Sequence, residues 1–551
     1  MLEGCVPWPE DLARRYVAAG CWEGKTLGDL IDESAAKYGP REAVAGPDGV
    51  RYTYNDVKRL SDRLALHFLK MGLQPQDRVI VQLLNVAEFV PLYFGLAKAA
   101  LIPVMALPPH RLHEIGFFAE LTEARGYILP AHVKSFDYSE LAKQVQQKAP
   151  SVQHIIYHGG ELSPGATSLK SLLADPIEER VPLSRLAEVR PDPNEAALFL
   201  LSGGTTGLPK LIPRTHNDYI YNSRTVLDVA NFKEAAYLAI LPIEHNYPIV
   251  YGLQPCIMEG SKFVLSQTTE MDQVMDLVER EKITHFPAVP SLYLRFMNHP
   301  SFKQRDLGSL RLLITGAQRL QPDLKPKIEE AFGAHLQEVL GMAEGLLATS
   351  KITDPPEMRY ETCGVPISPF DEIRIVDDNG QDVPEGKMGE LIVRGPTTLR
   401  GYYKAPEHNR IAFDSEGYYH SGDIVRRGPH GGIIVEGRKK DMINLGGEHL
   451  SAEEIENLIL LHDAIHNAAV IGMPDPEMGE RICAYIIPKS GQAITCEELN
   501  RFLLSKDIAK FKLPERLEIV NEFPLTNVGK VSKKDLREDI ARKLAKEKPA
   551  K

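Results

Sequence analysis

The chain has 551 residues, of which 43% are hydrophobic and 25% charged, a composition typical of globular proteins. Its length exceeds the roughly 100–200 residues of one domain, so we expect two or more domains. Its 64 lysines and arginines are outnumbered by 75 aspartates and glutamates, for a formal net charge of -11. That balance disfavours the broad basic surface that duplex nucleic acid requires, so we expect no nucleic-acid partner.

The N-terminal sequence and the cysteines predict a cytoplasmic protein. The first residues, MLEGCVPWPEDLARRY, lack the basic start and apolar run of a signal peptide. The six cysteines show no paired metal-binding spacing, which is typical of reduced thiols. The longest apolar stretch, residues 91–109, is interrupted by Lys98 and Pro103 and falls short of the ~20 residues of a membrane span. We therefore expect no membrane partner.

Short apolar runs alternate with helical segments through the first two thirds of the chain. The runs RVIVQLL, LFLLS and RLLIT are apolar on both faces, whereas TEMDQVMDLVEREK has a helical period. Buried strands separated by helices are typical of doubly wound parallel sheets in α/β proteins. The polar segment 190–197 carries two prolines, which indicates a boundary between subdomains.

From about residue 366 the pattern changes to short strands with close turns, which predicts a small barrel-like unit. We therefore predict a large N-terminal domain, residues 1–437, with subdomains at about 1–190, 191–365 and 366–437. The remainder returns to an α+β pattern. Ser451 and Glu454 have the spacing of a capping box, so a helix is expected to begin at 451.

A loop rich in glycine and threonine directly follows an apolar strand near residue 201. Its glycines let backbone amides bend around an anion, its hydroxyls add donors, and its lysine adds positive charge. A proline before the lysine distinguishes it from a Walker loop. The pattern predicts a phosphate-binding loop. Its residues are Ser202, Gly203, Gly204, Thr205, Thr206, Gly207 and Lys210.

Five motifs in order resemble those of the adenylate-forming superfamily of acyl-CoA synthetases, peptide-synthetase adenylation domains and luciferases. The resemblance covers nearly the whole chain, and it implies an enzyme that uses ATP and Mg²⁺ to activate a carboxylate. The motifs are the phosphate loop at 202–210, LGMAEG at 340–345, YHSGD at 419–423, GRKKD at 437–441 and PLTNVGK at 524–530.

This resemblance implies roles for individual residues. Glu344 would hold Mg²⁺ against the ATP phosphates, since that ion prefers carboxylate and phosphate oxygens. Asp423 would accept hydrogen bonds from the ribose hydroxyls, and Arg438 would add a cationic contact. Lys530 is the expected catalytic lysine, because a cation between the attacking carboxylate and the α-phosphate lowers their repulsion. Further nucleotide contacts are expected at Gly316, Gly341, Met342 and Ala343.

In this family the small C-terminal domain pivots about a hinge, which here corresponds to residues 438–441 with Lys440 as the pivot. Residues 442–551 would then form a small mobile α+β domain. One arrangement would bring Lys530 to the adenylation site. The other would present Gly446 and Gly447 to a pantetheine arm.

Within the superfamily, the chain is most similar to stand-alone aryl acid-AMP ligases of siderophore and other non-ribosomal peptide biosynthesis, typified by 2,3-dihydroxybenzoate-AMP ligase. Asn246 stands where domains that select amino acids carry an aspartate, which favours a small aromatic acid without an ammonium group. We expect His245 to position or gate the substrate. The expected lining of the acid pocket is His245, Asn246, Tyr247, Tyr251, Ala317, Val339 and Leu347.

Tyr251 departs from the family pattern, in which dihydroxybenzoate enzymes place a serine and salicylate enzymes a cysteine. A tyrosine could fill the space of a missing 3-hydroxyl, donate to a different substituent or point away. The acid therefore stays open among 2,3-dihydroxybenzoate, salicylate, a hydroxypicolinate, an aminobenzoate or another substituted benzoate.

The resemblance implies that the acyl group passes to the phosphopantetheine thiol of an aryl carrier protein. An aryl- or acyl-CoA ligase that uses free CoA is the first alternative, because the same catalytic residues would serve both. A non-catalytic nucleotide-binding scaffold is a distant alternative, and it would require the loss of a catalytic residue.

Overall fold

The computed structural model describes residues 1–160, 162–202, 209–316, 319–445, 448–476, 478–506, 508–525 and 531–547. Its strands, in chain order, are β1 Glu42–Ala45, β2 Arg51–Thr53, β3 Arg78–Val81, β4 Ile102–Met105, β5 Gly126–Pro130, β6 His132–Val133, β7 Phe136–Asp137, β8 His154–His158, β9 Thr167–Ser168, β10 Ala196–Leu201, β11 Leu211–Thr215, β12 Ala236–Ala239, β13 Lys262–Leu265, β14 His285–Pro287, β15 Leu312–Gly316, β16 His335–Gly341, β17 Leu347–Thr349, β18 Val365–Pro366, β19 Glu372–Val376, β20 Gly389–Arg394, β21 Tyr419–Arg427, β22 Ile433–Arg438, β23 Ile443–Leu445, β24 Glu448–Leu450, β25 Ile465–Asp475, β26 Gly479–Pro488 and β27 Arg516–Ile519.

The α-helices are α1 Glu10–Ala18, α2 Leu27–Tyr38, α3 Tyr54–Lys70, α4 Phe89–Lys98, α5 Leu112–Thr122, α6 Tyr138–Lys148, α7 Leu169–Ala174, α8 Ser184–Glu188, α9 His216–Val226, α10 Asn246–Pro248, α11 Gln254–Glu259, α12 Met271–Glu281, α13 Pro290–Met297, α14 Leu324–Phe332, α15 Pro356–Glu361, α16 Pro406–Ala412, α17 Ala452–Ile459, α18 Cys496–Leu504 and α19 Lys533–Glu547. A π-helical turn at Ile249–Leu253 joins α10 to α11. No helix in the ranges described is long and apolar enough to cross a membrane.

Two large sheets with helices between their strands form the first two thirds of the chain, which confirms the predicted α/β fold. One has the order β11-β10-β4-β3-β5-β8-β9 and is parallel except at β11. The other has the order β18-β17-β16-β15-β14-β12-β13-β1-β2 and is parallel from β16 to β1. The three apolar runs singled out from the sequence correspond to β3, β10 and β15, whose side chains are buried on both faces.

Each of the two large sheets contains strands from both sides of residue 190, near which the polar segment predicted a boundary. Strands β1 and β2 lie in the nine-stranded sheet, whereas β10 and β11 lie in the seven-stranded sheet. The two sheets therefore exchange strands, and the subdomain bounds of about 1–190 and 191–365 stay predictions.

The later part of the chain contains two smaller sheets. Strands β19 to β22 form an antiparallel sheet in sequence order, in agreement with the short strands and close turns read from the sequence. Strands β23 to β27 form a separate sheet with its own apolar core. The backbone nitrogen of Arg319, which follows β15 of the nine-stranded sheet, donates to Glu453 Oε1 (3.2 Å). This bond joins the C-terminal unit that contains β23 to β27 to the larger part of the protein.

The predicted helix after residue 451 is confirmed as α17. Ser451 is its N-cap and accepts from the backbone nitrogen of Glu454 (3.1 Å). The reciprocal bond of a capping box does not form, because the Glu454 carboxylate accepts from Lys512 Nζ instead, at 2.7 and 2.8 Å.

Candidate active site

The predicted phosphate loop is closed at its base by a pair of hydrogen bonds. The backbone nitrogen of Ser202 donates to the Lys210 carbonyl (2.9 Å), and the Lys210 nitrogen donates to Ser202 Oγ (2.9 Å). This pair continues the antiparallel pairing of β10 with β11. The hairpin therefore fixes where the loop leaves and rejoins the sheet, and it places Lys210 Nζ 5.8 Å from the ring centre of Tyr402.

Glu344 lies in a tight turn between β16 and β17. The Met342 nitrogen donates to the Leu346 carbonyl, and the Gly345 nitrogen donates back to the Met342 carbonyl, both at 3.1 Å. Gly345 has φ of +145°, and a Cβ there would lie 2.2 Å from the Thr397 carbonyl oxygen. Only glycine fits this backbone and this close approach. The turn thus holds Glu344 at the carboxyl end of the sheet.

The carbonyl groups of this turn are held by side chains from outside it. Arg214, which is fully buried, donates to the carbonyls of Ala343 (2.8 Å) and Thr397 (3.1 Å) and pairs with Asp218 at 2.7 Å. Asn222 Nδ2 donates to the Gly345 carbonyl (2.9 Å). Asp218 and Asn222 belong to α9. This helix therefore supports the loop that carries Glu344.

The Glu344 side chain is oriented by two tyrosines. Tyr402 OH donates to Glu344 Oε1 (2.7 Å), and Tyr419 OH lies 3.0 Å from Tyr402 OH. Burial, reinforced by the nearby Glu344 carboxylate, holds the pKa of both hydroxyls well above the usual tyrosine value. Both hydroxyls therefore stay neutral, Tyr402 in contact with the carboxylate and Tyr419 in contact with Tyr402.

Asp423 and Arg438 face each other across the register of β21 and β22. Arg438 Nε lies 2.8 Å from Asp423 Oδ1, and Arg438 Nη1 donates to the Ser421 carbonyl (3.0 Å). The Asp423 nitrogen donates to Ser421 Oγ (3.0 Å). A strand register and an ion pair therefore hold the Asp423 carboxylate in place, as a ribose contact would need.

Lys440 lies in a short turn at 439–441 directly after β22. Burial is the first cause that lowers the pKa of Lys440, and the cationic side chains of Arg438, Arg537 and Lys210 add to it. Arg537 of α19 donates to the Lys440 carbonyl (3.2 Å) and pairs with Asp441 at 3.0 Å. The last helix of the chain is thus attached to the predicted hinge.

The predicted acid pocket begins at α10. Tyr219 OH of α9 donates to Asn246 Oδ1 (3.0 Å), so the amide nitrogen is the group that Asn246 can offer to a ligand. Arg214 lies over the Tyr219 ring, 5.0 Å from its centre. Asn246 and the Glu344 turn therefore share support from α9 and Arg214.

Tyr251 lies on the π-helical turn and has no exposed surface. Its hydroxyl donates to Gln337 Oε1 (3.1 Å). The Gln337 amide nitrogen donates to the carbonyls of Val229 (2.8 Å) and Ser350 (2.9 Å), which fixes the orientation of the amide. The single proton of the Tyr251 hydroxyl is therefore committed to Gln337 and is not offered to a ligand.

The other predicted lining residues differ in exposure. Val339 lies two residues after Gln337 on β16, and its side chain shares that face of the strand. A Cβ on Gly341 would lie 2.8 Å from Leu347 Cδ2, so this glycine leaves room for Leu347. Val339 and Leu347 are buried, Tyr247 is half-buried with its ring centre 5.9 Å from that of Tyr251, and His245 is exposed.

A Cβ on Gly316 would lie 2.8 Å from the Val339 carbonyl oxygen, so a side chain at 316 would force the ends of β15 and β16 apart. Nine predicted site residues lie outside the residues described. They are Gly203, Gly204, Thr205, Thr206, Gly207, Ala317, Gly446, Gly447 and Lys530.

Sequence reasoning missed Arg214, Tyr402 and Gln337, which hold predicted site residues in place. Each acts across a long sequence separation, for example 58 residues between Tyr402 and Glu344. It also missed Glu244, two residues before Asn246, a buried carboxyl whose pKa burial raises to about 8. Glu244 Oε1 accepts from the Leu83 nitrogen (2.9 Å), and Oε2 has no partner among the described residues.

Two family models match the chain. The model for AMP-binding enzymes covers residues 31–403, and the model for the C-terminal domain of AMP-binding enzymes covers residues 454–530.

Similar proteins were found over the full length of the chain. A 2,3-dihydroxybenzoate-AMP ligase of Bacillus subtilis is 45% identical and covers 99% of both chains. A salicylyl-CoA synthase / salicylate adenylyltransferase of a Streptomyces species is 42% identical and covers 98% of both. The apo structure of MbtA from Mycobacterium smegmatis is 37% identical, with a TM-score of 0.74, and covers 98% of this chain and 99% of that one.

Proposed function

This chain belongs to the AMP-binding enzyme family, and from that premise we propose that it joins a small aromatic carboxylic acid to AMP and passes the acyl group to a thiol. Two full-length relatives are named for adenylation of 2,3-dihydroxybenzoate and of salicylate, which supports an aryl acid as substrate. We further propose a place in siderophore or other non-ribosomal peptide biosynthesis. The six free cysteines support a cytoplasmic location.

In the first step a carboxylate oxygen attacks the α-phosphate of ATP, an acyl-phosphate bond forms, and the bond to the β-phosphate breaks with release of pyrophosphate. No general base is needed, because the acid is already ionised near neutral pH. We assign Lys530 to the attacking carboxylate and the α-phosphate, and Lys210 to the phosphates. Asp423 would accept from the ribose hydroxyls, with Arg438 beside it.

Glu344 is the residue proposed to hold Mg²⁺, and its surroundings fit that cation. Its Oε1 accepts from a neutral hydroxyl, and no hydrogen bond reaches Oε2 from any residue that the structure describes. The described residues contain no group of three metal-ligating side chains, so one carboxylate together with ATP phosphates is the expected ligand set. The bound cation would offset negative charge on the phosphates and the leaving pyrophosphate.

In the second step the thiol attacks the acyl carbon of the adenylate, a thioester forms and AMP leaves. We propose that residues 438–441 act as the hinge that separates the two steps, with Lys440 as pivot, and that Gly446 and Gly447 border the path of the thiol arm. The contact of Arg537 with the Lys440 carbonyl supports this proposal, since movement of the last helix would be transmitted directly to the hinge.

Acid selection is assigned to the neutral residues that surround Asn246. The amide hydrogens of Asn246, for which no acceptor is found among the described residues, suit an acceptor on the ring, such as a hydroxyl oxygen or a ring nitrogen. Tyr251 contributes the bulk of its ring and not a hydrogen-bond donor, because its hydroxyl already donates to Gln337. This arrangement favours a 2-substituted benzoate or picolinate over an acid that needs a hydrogen-bond donor at Tyr251.

One observation carries the proposal: Asn246 on the acid side and the Glu344 turn share α9 as their support, through Tyr219 and Asn222. The deciding experiment is acid-dependent exchange of labelled pyrophosphate into ATP, over benzoates, picolinates, fatty acids and amino acids. Exchange with an aryl acid is expected. Exchange with fatty or amino acids alone would contradict the acid assignment, and no exchange with any acid would favour the non-catalytic scaffold.

Free CoA is the second candidate acceptor, because the name of the 42% identical relative combines a CoA synthase with an adenylyltransferase. A loading assay that offers CoA and a phosphopantetheinylated aryl carrier protein side by side separates the two. We expect faster thioester formation on the carrier protein. Equal or faster formation of acyl-CoA would assign the chain to the CoA ligases.

A further inference from the structure

The proposed metal carboxylate differs from most buried carboxylates of this protein in the kind of partner it has. Glu281 is held by Arg51 and Lys262, and Glu338 by Lys325, all of them cations. The hydrogen bond that reaches the Glu344 side chain from the described residues comes from the uncharged hydroxyl of Tyr402. A phenol orients a carboxylate without neutralising its charge.

The direction of the hydrogen bond between the two tyrosines follows from the number of hydrogens that each hydroxyl can donate, which is one. An ionised carboxylate is only an acceptor, so the one proton of Tyr402 is used on Glu344 Oε1. The contact of 3.0 Å with Tyr419 must then be a donation from Tyr419 OH to Tyr402 OH. A chain of two neutral hydroxyls therefore ends on one oxygen of Glu344 and fixes the plane of its carboxylate.

We propose that Tyr402 is a positioning residue for the divalent cation: its hydroxyl holds Glu344 Oε1 and leaves Oε2 available to the cation. The inference rests on the proposed role of Glu344 in holding Mg²⁺. Groups that orient metal ligands in this way change metal affinity about 10–100-fold when they are removed.

Tyr402→Phe removes the hydroxyl and keeps the ring, which packs against His408, Phe413 and Tyr419. The matched control is Tyr403→Phe, in which the neighbouring tyrosine, also buried, loses its hydroxyl. Tyr403 packs against Phe199 with its ring tilted by 36°, and none of the hydrogen bonds found among the described residues joins it to Glu344. The pair of variants therefore separates loss of this hydroxyl from loss of a buried hydroxyl in general.

The measurement is binding of Mn²⁺ to the full chain in the presence of α,β-methylene-ATP, followed by electron paramagnetic resonance. We expect Tyr402→Phe to weaken Mn²⁺ binding about tenfold or more, with Tyr403→Phe within twofold of the wild type. The KM for Mg²⁺ should rise more than kcat falls. Unchanged Mn²⁺ affinity in Tyr402→Phe would overturn the inference.

A double-mutant cycle with Glu344→Gln separates this inference from the proposed function. If Tyr402 acts through Glu344, its substitution should have no further effect on Mn²⁺ affinity once Glu344 is replaced. Additive losses would overturn the inference and leave the role of Glu344 intact. Unchanged Mn²⁺ affinity in Glu344→Gln itself would overturn the role of Glu344 and the inference with it.

Tyr419→Phe provides a second route if Tyr402→Phe lowers the unfolding temperature by more than Tyr403→Phe does. It leaves the bond to Glu344 in place but removes the donor to Tyr402, so a smaller loss of Mn²⁺ affinity, about threefold, is expected. A larger loss than in Tyr402→Phe would place the main effect at Tyr419 and contradict the proposed order of the two hydroxyls.

Discussion

The proposed nucleotide side and the proposed acid side of the site are built on different physical principles. On the proposed nucleotide side, Asp423 and Arg438 form an ion pair, and the Glu344 carboxylate accepts from Tyr402, which lies 58 residues away. On the acid side, Asn246 and Tyr251 are neutral and are tied to neutral partners, Tyr219 and Gln337.

This difference follows from the two tasks. Phosphate chemistry requires charges at fixed positions, because electrostatic stabilisation is strongest when the groups need not reorganise. Acid selection depends on shape and on a few hydrogen bonds, and an unpaired buried charge there would be costly. Burial raises the pKa of Glu244, two residues before Asn246, to about 8, which favours its neutral form at pH 7.

The largest expected effect is a loss of adenylation rate when the proposed catalytic lysine is removed. Lys530→Ala should lower the rate of acyl-adenylate formation by roughly 100–1000-fold, as when a group that stabilises transition-state charge is removed, while ATP binding is retained. Pyrophosphate exchange measures the rate, and equilibrium dialysis with ATP measures binding. Near-normal exchange would remove Lys530 from its proposed role.

A change in stability tests whether the acid side excludes charge. The folded pKa of Glu244, about 8, lies above its unfolded value, so the contribution of this group to folding stability is greatest below about pH 4.5 and is lost as pH rises toward 8. Glu244→Gln should remove this loss and gain roughly 2–4 kcal/mol over the wild type at pH 8, but little at pH 5. Thermal unfolding at both pH values measures the difference.

Glu281→Gln is the control of opposite sign. Burial would raise the pKa of Glu281, but Arg51 and Lys262 lower it to about 2, so its contribution is present above pH 4.5 and is lost only as pH falls toward 2. This variant should be less stable than the wild type at pH 8.

If the unfolding temperatures of Glu244→Gln and the wild type depend on pH in the same way, Glu244 is not kept neutral in the folded protein.

Asp423→Asn tests the need for charge on the nucleotide side. The amide keeps the size of the side chain but loses the ion pair with Arg438 and the charged acceptor proposed for the ribose. The KM for ATP should rise about tenfold, as expected for a lost hydrogen bond to a charged group, and the KM for the acid should change little. A matching rise for the acid would contradict the division between the two sides.

The smallest expected effect concerns the bulk of Tyr251. Tyr251→Ser should raise the preference for 2,3-dihydroxybenzoate over salicylate by several-fold, since space and a hydroxyl replace a ring. Tyr251→Phe, which loses only the bond to Gln337, should keep the wild-type ranking and unfold at a lower temperature. An unchanged ranking in Tyr251→Ser would place the ring of the acid elsewhere.

The sequence predicted features that depend on local backbone. The alternation of apolar runs identified β3, β10 and β15, and the cap at Ser451 marked the start of α17, because these signals lie within a few residues. The motif positions Ser202, Glu344 and Asp423 were found for the same reason. Their roles, like the subdomain bounds, stay predictions.

The supporting contacts of the site could not be read from the sequence. Arg214 reaches the Ala343 carbonyl across 129 residues, and Tyr251 reaches Gln337 across 86. Such pairs are defined only when two sheets and α9 are packed together, and no periodicity or spacing records them. The exchange of strands across residue 190 is hidden for the same reason, because strand pairing is a property of the whole sheet.

Helix α9 has a consequence for changing the specificity of this enzyme. One face of a single rigid helix supports Asn246 through Tyr219, and a residue one turn later supports the Glu344 turn through Asn222. Redesign for a new acid is therefore safest at side chains such as Tyr251 that lie off this helix. Substitutions at Tyr219 would be transmitted along α9 and would trade catalytic rate for altered substrate choice.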